Sequence, residues 1–350
     1  EADTLSQAVD QLAHIEVVRY PLAQDPPRGR VAQILGSDAE ASSDIDIVYC
    51  KYDLPRAFSE DAMAASQSLP NRVRKADLKG RLDLREQLTV TIHGTKSQAI
   101  DDAFSVSKTD DGNWQLGVHI ADVAHYVPLY SHIDREALKR GTAVYLGNDM
   151  IPMLPPPLST SLCSFSQGKD RLAISVIVTL DAEGKVLEFE IQPSVISVDH
   201  ALDYKQAQGI LARDDKAALG ELGLKLKDLK KLEPAFATVE NLFTLSQGIR
   251  QQRMARGSFE LNLPEHEFPD DAKEPLASYA SPRFQYDDEG LLGVIVVSSS
   301  LKARMMVTEF SLLANQLVAS HLKALSIPAI YRLHRTPTIS DVQEIGRAHV

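Results

Sequence analysis

The sequence predicts an α+β fold preceded by a small β-barrel, and three observations carry that prediction. Hairpin-linked strand pairs come first: AFSVSKTDDGNWQLGVHIADV turns at Asp110-Asp111-Gly112, and RLAISVIVTLDAEGKVLEFEIQ spans 171–192. Two long amphipathic stretches, at about 233–256 and 302–323, are interleaved irregularly with those strands instead of alternating with them as βαβ units do. Finally, residues 17–58 read as short strands, VVRY, GRVAQILG and IDIVYCKY, separated by the turn-rich clusters PLAQDPPRG and GSDAEASSD.

Taken in order, the barrel-like region ends near Ser59. That residue, with Glu60 and Asp61 behind it, has the chemistry of a helix N-terminus, and Pro70 stops the helix. Residues 71–87 form a linker. Strand texture starts at Leu88 with LTVTI. Between the hairpins Ser131 caps a helix, with Asp134 three residues on, and Gly141 stands where a helix C-terminus needs positive φ. The helix at about 233–256 turns Phe236, Val239, Phe243 and Ile249 to one face and ends at Gly257; the helix at 302–323 does the same with Met306, Phe310, Leu313 and Leu317.

A chain of 350 residues suggests two domains, or one large domain plus an appendage, and 24% charged with 44% hydrophobic residues is the make-up of a soluble globular protein. There is no apolar run long enough to span a bilayer, so no membrane partner is expected. Two cysteines, Cys50 and Cys163, cannot make a disulfide framework, which favours a reducing compartment; the cytoplasm is expected. The net charge of −11 opposes a uniformly basic nucleic-acid surface, yet NRVRKADLKGRLDLR at 71–85 gathers Arg72, Arg74, Lys75, Lys79, Arg81 and Arg85 against Asp77 and Asp83. Alone, such a stretch is more often a solvated linker than a nucleic-acid contact.

The segment Ile100-Asp101-Asp102-Ala103-Phe104 sets adjacent carboxylates among apolar residues. Burying both anions is costly without a cation or strong donors. Mg²⁺ answers that need with one or two protein carboxylates plus substrate phosphate. Neighbours on a regular strand face opposite ways, so joint ligation requires a bulge or turn here. Without context the pair is weak evidence, since Asp-Asp is common in solvated turns.

Context comes from blocks that resemble, in order and spacing, the catalytic domain of the ribonuclease II / ribonuclease R (RNB) family of 3′→5′ exoribonucleases. They are LTVTIHGTKSQAIDDAFSV (88–106), LGVHIADVAHYV (116–127), RGTAVYLGNDMIPMLPPPLSTSLCSF (140–165), DRLAI (170–174), HALDY (200–204), RGSFELNLPE (256–265), EFSLLANQLVA (309–319) and YRLHR (331–335). Residues 17–70 resemble that family's cold-shock-type, OB-like barrel and linker. The resemblance implies a cold-shock-type RNA-binding domain over 1–70, in part, a basic linker over 71–87, and a C-terminally truncated RNB catalytic domain over 88–344, with mixed, largely antiparallel strands and surrounding helices. Glu344 to Val350, EIGRAHV, match one reading frame of a common sequencing adapter, so residues 345–350 are expected to be an artefact. The chain starts at Glu1 without a Met and is expected to be an excised piece.

The same resemblance implies metal-dependent hydrolysis of single-stranded RNA by a monomer, with Mg²⁺ or alternatively Mn²⁺ held at Asp101 and Asp102, the last two of the family's four active-site aspartates. It implies that Tyr204 stacks on a base near the 3′ end and that Glu309 helps hold the terminal nucleotide. Their ordinary alternatives are a strand-edge packing residue and a helix-face charge. RNA-phosphate contacts are expected from Arg72, Arg74, Lys75 and Lys79. Asp122 reads as structural. The sequence departs from the family where it has His93 and Ala99 in place of aspartates: Ala99 offers no ligand, and Mg²⁺ disfavours the nitrogen of His93. Two readings follow, an exoribonuclease and a catalytically degenerate RNA-binding or regulatory homologue.

Overall fold

The computed structural model describes residues 9–22, 25–36, 44–94, 97, 99–146, 149–258, 283–286, 292–296, 301–333, 338–340 and 343. Residues 345–350 and most of the RGSFELNLPE block lie outside these, as do the last two residues of YRLHR.

At the N-terminal end β1 (Leu12–Arg19) and β2 (Arg28–Gly36) form an antiparallel pair whose register shifts at three points. The strand expected at IDIVYCKY is instead helix α1 (Asp44–Lys51). Ile, Val and Tyr lend that segment strand propensity, but the chain is helical here, with Lys51 in the last turn where a cation complements the helix dipole. The helix closes just beyond it: the Tyr52 N–H donates to the Val48 carbonyl, and with Asp53 at φ +50° the Leu54 N–H reaches back to Tyr49.

Helix α2 (Glu60–Gln67) begins as expected, with Ser59 accepting from the Ala62 N–H. The linker is more structured than its composition implies. A 3₁₀ turn occupies Lys75–Leu78, and β3 (Leu82–Asp83) adds to the edge of the main sheet.

That sheet also contains β4 (Thr89–His93), β5 (Asp102–Lys108), β6 (Trp114–Ala121), β9 (Asp170–Leu180), β10 (Val186–Ser197) and β11 (His200–Asp203); a separate hairpin pairs β7 (Val144–Leu146) with β8 (Asp149–Ile151). The order is β11-β4-β5-β6-β9-β10-β3. Its interior pairings are antiparallel, while β11 on β4 and β3 on β10 are parallel.

Both faces are covered. One carries Ile92, Phe104, Leu116, Val118, Val176 and Val178 against α5 (Tyr204–Leu211), α8 (Phe236–Ala255) and α9 (Lys302–Ala324). In between come the short helices α6 (Lys216–Glu221) and α7 (Leu226–Leu229). Phe104 meets Phe310 of α9 with ring centroids 5.4 Å apart, joining sheet to helix. The stripe expected on α9 is buried through Met306, Phe310 and Leu313, with Leu317 partly buried. Helix α8 starts later than its sequence pattern because Pro234 sits in a preceding 3₁₀ turn.

The other face packs Ala103, Ala121, Leu172, Ala173 and Val195 against α3 (Val123–Tyr126), α4 (His132–Arg140) and the segment Leu158–Phe165. Ser131 caps α4, and Gly141 closes it at φ +71°, a conformation that costs glycine little. Across this face runs a buried polar ladder: His119 bonds Ser105 at 3.0 Å and Ser175 at 2.7 Å, and Ser175 bonds Ser194 at 2.6 Å. Burial pushes the His119 imidazole down to about 4, so it serves the ladder uncharged at neutral pH.

Candidate functional site

Strand alternation sends Asp102 to the face that Phe104 shares, beneath α9. Asp101 lies just before the strand, its carbonyl accepting the Ala121 N–H at 2.9 Å. That bond continues the β5–β6 register by one residue, and Asp101 and Asp102 both line one cleft of about 460 Å³. The remaining walls are His93, Ser97, Ala99, Tyr204, Arg304 and Thr308, with Ile92, Gly94 and Ile100 beside them. Burial, then the neighbouring charge of Asp101, pushes the Asp102 carboxyl up to about 6.

His93 ends β4. Its Nδ1–H donates to the Gly94 carbonyl at 2.8 Å, which leaves the neutral ring's lone pair on Nε2, and Nε2 is shut from solvent with no partner among the described residues. Register pairs His93 with Asp203 on β11. Asp203 caps α5 by accepting from the Gln206 N–H at 2.6 Å, while the Asp203 N–H donates back to Gln206 Oε1 at 3.0 Å. Tyr204 is therefore the first residue of a firmly capped helix, not a strand-edge residue, and the Arg304 guanidinium lies 5.1 Å from its ring centroid.

Glu309 is not brought to the cleft. It is buried on α9, and Arg253 of α8 donates to both its oxygens, Nη2 to Oε1 at 2.6 Å and Nε to Oε2 at 3.0 Å. The basic linker also stands away from the cleft lining. Arg74 is committed to Asp77 at 2.8 Å and, chiefly through side-chain hydrogen bonding, holds that carboxyl down at about 2. Arg81 is paired with Asp122 at 2.5 Å, both side chains buried, and Arg85 with Asp83 and Asp170. Arg72, Lys75 and Lys79 have no carboxylate partner among the described residues. Asp122 has the structural role expected of it, since besides Arg81 it caps α3 by accepting from the His125 N–H.

Sequence reasoning missed Arg304 and Thr308. They stand one turn apart on a helix whose apolar stripe draws attention to its other face.

Among the described residues no group of three or more His, Cys, Asp and Glu side chains is placed to hold a metal. A pair of carboxylates in an open cleft nevertheless fits one hard divalent ion that takes its remaining oxygens from water and phosphate. Ala99 and the inward-held nitrogen of His93 offer nothing comparable for a second.

Comparison with known proteins bears on this geometry. The RNB domain profile matches residues 81–349, and a cold shock domain profile matches residues 2–59. The acetazolamide conferring resistance protein zam of Synechocystis is 38% identical over 97% of this chain and 40% of its own length. Ribonuclease R of Thermotoga maritima is 36% identical over 92% of this chain and 42% of its own. This chain thus spans about two fifths of the length of these relatives.

Among solved structures, Mycoplasma genitalium RNase R in complex with ribose methylated single-stranded RNA superposes with a TM-score of 0.73 at 24% identity, covering 95% of this chain and 47% of that one. Yeast Ssd1, described as a pseudonuclease, gives a TM-score of 0.60 at 16% identity, covering 92% and 36%. Both show the shared fold. No helix of the described residues is long and apolar enough to cross a membrane. With a profile matching most of its length and a mixed sheet flanked by helices behind a cold-shock segment, the chain belongs to the RNB-domain family.

Proposed function

We propose that this chain is part of a cytoplasmic, monomeric 3′→5′ exoribonuclease, whose cleft receives the 3′ end of single-stranded RNA. The observation that carries the reading is the convergence of Asp101, Asp102 and Tyr204 on one cleft in a chain with the RNB profile. The relatives named ribonuclease R and the neighbour solved with single-stranded RNA support this substrate class. Asp101 and Asp102 would hold a divalent cation, Mg²⁺ or alternatively Mn²⁺, which would supply Lewis acidity and an activated water for phosphodiester hydrolysis. Tyr204 offers a ring face to a terminal base, a contact that tolerates any sequence. Ordering the last nucleotide in this way aligns its phosphodiester with the carboxylates. The domain limits that accompany this reading are 1–70, 71–87 and 88–344.

His93 and Ala99 favour a second reading, a degenerate homologue that binds RNA and hydrolyses it slowly or not at all. The resemblance of the fold to a pseudonuclease supports it. A 5′-labelled single-stranded RNA incubated with the full-length protein, in Mg²⁺ and separately in Mn²⁺, distinguishes the two. A ladder shortening from the 3′ end supports the exonuclease, whereas binding without shortening moves the protein to the degenerate class. In the latter case His93→Asp with Ala99→Asp should raise Mg²⁺-dependent turnover, and Asp102→Asn on that background should abolish the gain.

A further inference from the structure

We propose that Arg304 is an RNA-phosphate contact of this cleft, gripping the backbone beside a base stacked on Tyr204. The inference rests on the RNA-binding reading above. Among the described lining residues, Asp101 and Asp102 repel a phosphate, and Arg304 supplies the cationic side chain that attracts one. Its placement follows from packing. Ala303, Met306 and Val307 are buried around it, and the Ala303 N–H donates to Gln208 Oε1 at 3.3 Å, tying the start of α9 to α5, the helix that Tyr204 begins.

The geometry suits a double use of the guanidinium. With its carbon 5.1 Å from the Tyr204 centroid, it engages the ring, while guanidinium N–H groups point along the plane of the group, where a phosphate's oxygens accept best. Cation and aromatic ring thus alternate along one wall, as base and phosphate do along a single strand. Thr308 extends that wall by one helical turn, its hydroxyl donating to the Arg304 carbonyl at 3.0 Å.

The test is fluorescence anisotropy of a 5′-fluorescein oligoadenylate bound by the chain in chelator, titrated across a range of KCl concentrations for the parent, Arg304→Gln, Arg304→Lys and Tyr204→Ala. Arg304→Gln should weaken binding about tenfold, the worth of one charge-assisted contact, and lower the slope of log affinity against log salt by about 0.7. Arg304→Lys should restore the slope while recovering only part of the affinity, because an ammonium keeps the charge without the planar stack. Weaker binding at an unchanged slope overturns the proposal and reduces Arg304 to a prop for the Tyr204 ring. An unchanged affinity overturns it outright. If the parent shows salt-dependent RNA binding and the Arg304 variants match it, this inference fails alone; if the parent shows no salt-dependent RNA binding, the RNA-binding reading fails with it.

Discussion

Replacing Glu309 with Gln separates two roles that one carboxylate cannot easily share. Family resemblance gives Glu309 to the terminal nucleotide, whereas the structure gives it to Arg253, with the Glu309 side chain 4% exposed and that of Arg253 20% exposed. Breaking a buried ion pair by removing one charge costs about 3–5 kcal/mol. Gln keeps the volume and one acceptor oxygen, and the partial exposure of Arg253 admits water to it, so a loss of about 2–3 kcal/mol is expected. Urea unfolding followed by circular dichroism at pH 7 would register the change as a lower midpoint at unchanged slope. A double replacement, Arg253→Met with Glu309→Met, should recover most of the loss, because an apolar pair of similar size avoids the desolvation of both charges. RNA affinity, measured where the variant is folded, should stay within about twofold of the parent. Undiminished stability combined with a large loss of RNA affinity would refute the reasoning and return Glu309 to the nucleotide.

Other perturbations address the sheet, the linker and pH. A Cβ on Gly117 would lie 2.4 Å from Ser105 Oγ and 2.7 Å from His119 Nε2, so Gly117→Ala should cost about 1–3 kcal/mol in the same unfolding assay, through overpacking and disruption of the polar ladder. In the linker, Arg72, Lys75 and Lys79 each replaced by Gln should lower the salt slope of RNA binding by about 0.7 per contact. Arg74→Gln should instead lower the melting temperature by releasing Asp77, and an equal effect on the salt slope would contradict its commitment to that partner. Asp102 retains its proton up to about pH 6 in the fold but only to 3.8 otherwise, so its contribution turns unfavourable as pH rises through that window. Asp102→Asn should therefore stabilise the chain at pH 7 by on the order of 2 kcal/mol and do little at pH 3.5, as pH-dependent melting would reveal. His119 acts with the opposite sign: being held near 4 instead of 6.5, it costs stability as pH falls from 6.5 towards 4.

Local chemistry was readable wherever a single residue settles a local geometry. Ser59, Ser131 and Gly141 mark helix ends by what their side chains, or the lack of one, do for nearby backbone. The Asp110-Asp111-Gly112 turn and the apolar stripe of α9 belong to the same class, and the adjacent aspartates drew notice because they are costly to bury. Segment Asp44–Lys51 reads as a strand because Ile, Val and Tyr favour one, a local propensity that the folded chain overrides. The fates of Glu309, Arg74 and Arg81 were invisible for another reason. Each is decided by a partner, and the Glu309 and Arg81 partners, Arg253 and Asp122, lie 56 and 41 residues away in sequence. A basic run looks the same on paper whether its charges face solvent or are neutralised from within.

The arrangement of the sheet has a consequence for how the cleft comes into being. Hairpins β5–β6 and β9–β10 join neighbours in the chain and incur little loop-closure entropy, so they are the pairings that form early. Strand β11 docks in parallel on β4 across more than a hundred residues, as the pairing of His200 with Val90 illustrates. Tyr204 follows directly on that strand and cannot reach Asp102 until the docking is complete. On this topology the cleft is expected to be completed late in folding. A nascent or partly unfolded chain would then present its two aspartates at the start of a formed hairpin without the aromatic wall beside them.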